Sequence, residues 1–381
     1  MKRLFFTLAS LLLLASGTSQ TLKSPSEFLG YELGTKFTRH HEVLSYFKYV
    51  SETLPQQVQL EPYGVTNERR PLMVAFLSSP ENMSRLESLR QAHLQSTEGR
   101  GNSEVAVVWL SYNVHGNESV STEASMQTLY ELLTDKKAYL ENTLVIIDPC
   151  INPDGRERYV NWYYQYKNTP YQVNPDSKEH QEGWWTGRSN HYMFDLNRDW
   201  AWLTQVESQQ RIAKFNQWMP HIHVDFHEQG MNNPYYFAPA AEPYHEVITD
   251  FQRDFQKEIG RNHARYFDQN GWFYFTREVF DLFYPSYGDT YPTYNGAIGM
   301  TYEQGGSGRA GLGVIVDNGD TLTLKDRISH HLTTGLSTVE VASRQAETLN
   351  EEFRKYYSRD HNFKYQAYLL KGDRDRQEAL T

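Results

Sequence analysis

The chain has 381 residues, 39% hydrophobic and 22% charged, enough apolar material for a large core and a composition that excludes disorder on a large scale. A net charge of −10 argues against nucleic acid or an anionic membrane surface as the main partner. The one cysteine, Cys150, rules out an intramolecular disulfide, and its apolar surroundings read as those of a buried structural thiol.

Lys2 and Arg3, then an apolar run over 4–15, then small residues such as Gly17, read as a secretory signal peptide over 1–19. That run is too short to span a bilayer comfortably, so the expectation is an exported protein, periplasmic or extracellular, with no membrane span. Residues up to about 40 read as a loosely structured entry segment. The stretches 58–61 and 72–77 read as strands, and 81–93 as a polar helix beginning near Pro80. The continuous apolar run 105–110 predicts a central strand buried on both faces. A helical pattern over 121–140 and a buried strand over 144–147 follow, closed by the turn signal Asn152-Pro-Asp-Gly155. Beyond it, 159–188 reads as a long irregular stretch, of the kind that carries function. The pattern then gives a helix over 204–219, a strand over 221–226 and a helix over 244–270. A late strand over 297–302 and a long helix over 324–353 close it. The expected fold is α/β: a central mixed, largely parallel twisted sheet flanked by helices. It forms one catalytic domain over 20–360, followed by a C-terminal tail over 361–381, with a possible strand at 365–370 and a polar end over 371–381, that reads as the possible start of a further segment.

The chemistry begins at His115-Gly-Asn-Glu118, directly after the first buried strand. An imidazole and a carboxylate separated by two residues at a strand mouth can close on one divalent metal, and the absence of thiolate suits a catalytic zinc that keeps a water. His221-Ile-His223-Val-Asp-Phe-His227 ends another apolar strand, and His227, expected just past its end, is best placed to reach the same ion. Two arginines and an asparagine in one region, Arg188, Asn197 and Arg198, can bind a carboxylate and a developing oxyanion. Glu303, leaving a buried strand, suits a general base.

Taken in order, these segments resemble the zinc carboxypeptidase family of the funnelin type, most closely the regulatory branch containing carboxypeptidases D and E. The resemblance rests on His-Gly-Asn-Glu at 115–118, Asn-Pro-Asp-Gly at 152–155, Gly-Arg-x-Asn at 187–190 and Asp-Leu-Asn-Arg at 195–198. His227 and Glu303 complete it, and it covers roughly residues 40–340. It implies that His115, Glu118 and His227 hold one Zn2+ per chain and that Glu303 is the catalytic carboxylate. Arg188, nine residues before Asn197 as in that branch, would face the scissile carbonyl, and Asn197 with Arg198 would hold the substrate's terminal carboxylate. Asp195 would orient a ligand histidine. A substrate-binding tyrosine is expected near 283–287, with Tyr287 preferred over Tyr284. Asp199 stands where the family often has asparagine, and is expected to point away from the site.

The resemblance thus implies a metallocarboxypeptidase acting on peptide or protein C-termini. The enzymatic alternative keeps the zinc and changes the substrate: a peptidoglycan stem-peptide hydrolase or an N-acyl amino acid amidase. A binding module that merely retains the fold would need neither Glu303 nor Arg188. No His-Glu-x-x-His or Gly-x-Ser-x-Gly motif is present. Gly306-Ser-Gly308-Arg-Ala-Gly311 is rejected as a nucleotide loop because an apolar run, not a helix, follows it. Side-chain preference and oligomeric state are not legible; Asp281 and Asp289 both lie in the segment expected to line the specificity pocket.

Overall fold

The computed structural model describes residues 21–101, 103–358, 367, 369–375 and 377. The segment 1–19, read as a signal peptide, lies outside the described residues, as does most of 361–381, including half of the possible strand at 365–370. Among the described residues no helix is long and apolar enough to cross a membrane.

The main sheet has eight strands: β1 (Val58–Val65), β2 (Pro71–Leu77), β3 (Ala106–Tyr112), β4 (Thr143–Asp148), β5 (Ile222–Gln229), β6 (Tyr235–Tyr236), β7 (Tyr274–Phe275) and β8 (Ile298–Gly305). Their order is β1-β2-β4-β3-β5-β8-β6-β7, with β4, β3, β5 and β8 mutually parallel and β2 antiparallel to both β1 and β4. A small hairpin, β9 (Gly313–Ile315) and β10 (Thr321–Thr323), stands apart. The helices are α1 (Pro25–Leu29), α2 (His40–Thr53), α3 (Pro80–Ser84), α4 (Leu86–Gln95), α5 (Val120–Leu133), α6 (Pro153–Tyr166), α7 (Val206–Asn216), α8 (Asp250–Asn270), α9 (Thr290–Tyr294), α10 (Leu324–Arg344) and α11 (Ala346–Ser358). The expected α/β class with a mixed, largely parallel sheet holds.

Side-chain alternation divides the sheet into two faces. Val108, Leu110, Val145, Ile147, Val224, Phe226, Met300 and Tyr302 bury against α2, α5, α8 and α10. Val107, Trp109, Leu144 and Ile146 bury against Leu89 of α4, Ile212 and Phe215 of α7, and Trp200. Every residue of β3 and β4 is buried, as the continuous apolar runs require of strands covered on both sides. The chain leaves β3 for β4 on one side, then returns to place β5 on the other. With helices covering both faces, the crevice of such a switch opens at the strands' carboxyl ends.

Several boundaries move, each for a local reason. Asn152-Pro-Asp-Gly155 is a helix start rather than a turn: Asn152 accepts from the Gly155 amide at 3.0 Å and Pro153 occupies the first helical position, so α6 takes 159–166 out of the irregular stretch. The helix expected from 244 begins only at Asp250, where Thr249 and Gln252 form a capping box, and ends at Gly271 in the left-handed conformation. The entry segment contains α1, opened by a Ser24–Glu27 capping box, and leads directly into α2. The single closing helix is two, since Gln345 leaves helical geometry between α10 and α11. Arg85 likewise separates α3 from α4. β5 runs to Gln229, so His227 lies within the strand rather than past it. Cys150 is buried, with Sγ 3.3 Å from Asn113 Oδ1.

Three motif glycines interlock beside the crevice. A Cβ on Gly116 would stand 2.2 Å from the Arg156 nitrogen and 2.5 Å from the Gly187 oxygen; one on Gly155 would stand 2.3 Å from that same oxygen, and one on Gly187 2.6 Å from the Gly155 oxygen. Backbone meets backbone at all three, leaving no flexible side chain to give way. Gly155→Ala is therefore expected to cost about 1–3 kcal/mol by overpacking, read from urea unfolding. Gly183→Ala, with no atom within 4 Å of its Cβ, should change stability by less than about 0.5 kcal/mol.

Candidate active site

His115 and Glu118 lie on the loop between β3 and α5, which Asn113 holds in shape. Its backbone is left-handed (φ 62°), a conformation asparagine tolerates, and its amide donates to the carbonyls of His115 at 2.8 Å and Glu118 at 2.9 Å. His227 comes from β5 and Glu303 from β8, where the two residues are direct partners in the parallel register. All four are nearly inaccessible.

His115 Nδ1 lies 2.8 Å from Glu118 Oε1, His227 Nδ1 lies 3.0 Å from Glu118 Oε2, and the two Nδ1 atoms are 3.2 Å apart. One donor atom from each residue falls within 4.8 Å of the others, a spacing that fits a single metal ion, and two imidazoles with one carboxylate fit zinc. Each imidazole turns its other nitrogen to a carboxylate: His115 Nε2 is 2.9 Å from Asp195 Oδ1, and His227 Nε2 is 2.9 Å from Asp225 Oδ2. For His115 such a partner fixes which ring nitrogen is free for a metal.

The local field favours positive charge at this point. Burial alone would lower the pKa of His227, but Asp225 and Glu118 outweigh it and hold it well above the usual imidazole value. Burial would likewise raise Glu118 and Asp195, yet neighbouring histidines, and for Asp195 also Arg188, keep both carboxyls below the ordinary range. Glu303 goes the other way. Burial, with the charges of Glu118 and Asp225, pushes it up to about 8 despite His227 and Arg188.

These residues open into a cavity of about 440 Å³ whose lining includes Arg188, Asn197, Arg198, Tyr287, Asp281 and Asp289. Arg188 reaches Asp195 Oδ2 through Nε at 3.2 Å and Nη2 at 3.0 Å, and Glu118 Oε1 through Nη1 at 3.2 Å. The Arg198 guanidinium lies over the Tyr287 ring, 4.4 Å from its centroid, and donates to the Asn197 carbonyl. Asn197 is otherwise committed: its oxygen accepts from the Gly288 amide at 2.7 Å and its nitrogen sits 3.1 Å from His227 Nε2. Tyr284 turns outward and accepts from the Trp202 indole at 2.7 Å. Asp199 points away, accepting from Thr204 and the Gln205 amide. His221 and His223 are packed: His221 against His93 and Phe353, His223 among Trp109, Trp200 and Phe215.

Two participants escaped the sequence reading. Asp225 shares a strand face with His227 at i−2, which alternation alone could have revealed. Glu228, on the opposite face, accepts from the Val120 amide at 3.0 Å, the Ser307 amide at 3.1 Å and Arg327 Nη1 at 2.8 Å. It thereby ties the start of α5, the glycine-rich loop 306–311 and α10 together. That loop leads into β9 rather than a helix, in keeping with its rejection as a nucleotide site.

Residues 43–221 match the family model described as zinc carboxypeptidase. That span holds His115, Glu118, Arg188, Asp195, Asn197 and Arg198; His227 and Glu303 lie beyond it. Among solved structures, a metallo-carboxypeptidase from Burkholderia cenocepacia is 16% identical with a TM-score of 0.55, over 78% of this chain and 68% of that one. Carboxypeptidase A from Helicoverpa armigera is also 16% identical with a TM-score of 0.55, over 88% and 79%. Bovine thrombin-activatable fibrinolysis inhibitor, solved with tick carboxypeptidase inhibitor, is 14% identical with a TM-score of 0.54, over 83% and 100%. At such identities the likeness is one of fold. The chain is thus similar to zinc carboxypeptidases in sequence over residues 43–221 and similar in fold to these solved structures.

Proposed function

We propose that the protein removes the C-terminal residue of peptides or proteins, using one zinc ion per chain and Glu303 as general base, within a catalytic unit spanning residues 20–360. The observation that carries the reading is the convergence of His115, Glu118 and His227 at the wall of a cavity that also holds Glu303, Arg188 and Arg198.

Held by those three side chains, zinc supplies a Lewis acid and lowers the pKa of water towards about 7. Glu303 takes a proton from the attacking water at its carboxylate and returns it to the leaving amine; its raised pKa brings it close to working pH, where such exchange is efficient. Arg188, braced by Asp195, stabilises the developing oxyanion. Arg198, steadied on Tyr287, pairs with the substrate's terminal carboxylate, which restricts cleavage to the last peptide bond. Asn197 borders the same pocket, with its amide engaged by His227 and Gly288.

Kinship with the carboxypeptidase D/E branch rests on the nine-residue spacing of Arg188 and Asn197, and export rests on the signal-like segment 1–19. The comparisons do not favour a peptidoglycan hydrolase or an acyl-amino-acid amidase.

The direct test is a C-terminal residue scan on a peptide library with and without chelator. Release of a single C-terminal amino acid, abolished by chelation, is the expected result. Zinc at 100 times its Kd should stabilise the fold by about 2.7 kcal/mol, seen as a raised Tm, and His227→Ala should lose that shift. Glu303→Gln should bind substrate and lose about two to four orders of magnitude in kcat. Arg198→Ala should raise KM for free-acid peptides by about 10–100-fold while leaving the slow cleavage of C-terminally amidated peptides nearly unchanged. An equal loss on both would mean that Arg198 does not read the carboxylate.

A further inference from the structure

The two stretches that carry Arg198 and Tyr287, 197–202 and 284–288, are joined along their length by hydrogen bonds. At one end the Gly288 amide donates to Asn197 Oδ1 at 2.7 Å; at the other the Trp202 indole donates to the Tyr284 hydroxyl at 2.7 Å. The stretches pack so closely that a Cβ on Gly288 would stand 3.0 Å from Trp200 Nε1. Between the two ends stands Ser286, fully buried. Its hydroxyl donates to the Arg198 carbonyl at 2.9 Å and accepts from the Ala201 amide at 2.8 Å. Its own carbonyl accepts from the Trp200 amide at 3.4 Å. One side chain thus bridges the backbone on both sides of Asp199–Trp200, using its donor and its acceptor together.

What this clasp holds in place is Arg198, the last residue of the short helical turn Leu196–Arg198. Its side chain is 45% exposed, and three contacts orient the guanidinium: the Asn197 carbonyl at 3.0 Å, Asp195 Oδ2 at 3.8 Å and the Tyr287 ring at 4.4 Å. Asn197 and Asp195 belong to the same turn as Arg198 and move with it. Tyr287 alone comes from the opposite stretch, and it is the residue next to Ser286. Attraction between a cation and a ring needs a separation within about 6 Å of the centroid. The pairing therefore depends on the spacing of the two backbones, which Ser286 sets through the Arg198 carbonyl itself.

We propose that Ser286 is a positioning residue for terminal-carboxylate recognition, holding the backbone of Arg198 against that of Tyr287 so that the guanidinium keeps its place in the cavity. This rests on reading Arg198 as the group that pairs with the substrate's carboxylate. Ser286 does not line the cavity, so it acts only through these neighbours.

Comparing free-acid peptides with their C-terminal amides separates positioning from a merely structural role. In the zinc-loaded full chain, Ser286→Ala should raise KM for free-acid peptides about three- to tenfold, the worth of one lost hydrogen bond, with kcat within about twofold. The slow cleavage of the amides should not change. In an Arg198→Ala background, Ser286→Ala should add no further loss, because the group it positions is gone. A loss that falls equally on acids and amides, or that persists in full in that background, would overturn the proposal. A second measurement leaves Ser286 intact. In Glu303→Gln, hydrogen exchange at the Ala201 and Gly288 amides should slow at least about threefold on adding a free-acid peptide, and not on adding its amide, because binding at Arg198 favours the joined stretches. Exchange that stays the same refutes the proposal even where Ser286→Ala does not fold. An Arg198→Ala variant that loses acid and amide cleavage equally would instead defeat the carboxylate reading beneath it.

Discussion

The register of β5 between β3 and β8 is the constraint on which the site depends. Parallel pairing sets His227 opposite Glu303, and β3 ends one strand away, where it releases the loop bearing His115 and Glu118. Neighbouring strands lie about 4.8 Å apart, so groups delivered to the same edge of adjacent strands meet without any long side chain reaching across. A slip of one residue in β5 would turn His227 to the opposite face and bring Glu228 to the crevice side. The buried faces forbid that slip, because Val224 and Phe226 would exchange places with His223 and Asp225.

Charge at the site is organised around that geometry. Carboxylates crowd the two imidazoles: Glu118 between them, Asp195 and Asp225 behind them, and Glu303 across the cavity. Arg188 and Arg198 answer part of this from the cavity side. Burial of so many ionised groups is tolerable only when they are paired and hydrogen-bonded. The same crowding sets Glu303 apart from Glu118. One carboxylate is held by two imidazoles; at the other, burial and the charges of Glu118 and Asp225 outweigh His227 and Arg188, so their proton affinities diverge.

Much of this was legible in the residue order, because the signals were local. The apolar runs of β3 and β4, the His115–Glu118 spacing and the preference for His227 over His221 and His223 needed no tertiary information. What failed was meaning that depends on context. Asn152-Pro-Asp-Gly155 carries identical residues as a turn or as a capped helix start, and the hydrogen bond from Gly155 to Asn152 decides between them. The position of Asp225 on the His227 face follows from strand alternation, and went unread because the strand was expected to stop before His227. The interlocking of Gly116, Gly155 and Gly187 joins three distant segments, a proximity that no local pattern encodes. Asn197, assigned to substrate on resemblance, lines the cavity, and its contacts with His227 and Gly288 were not legible in the sequence.

The ion pair of Glu228 with Arg327 links the crevice to the order in which the chain is made. Glu228 follows His227, and its amide donates to Glu118 Oε2 at 2.9 Å. Its own carboxylate is sealed from solvent, and in the finished molecule its countercharge arrives about one hundred residues later, on α10. Until that helix docks, seating Glu228 would strand a bare negative charge in the interior, a penalty of several kcal/mol. The ordering of the crevice wall around Glu228 thus depends on the docking of α10.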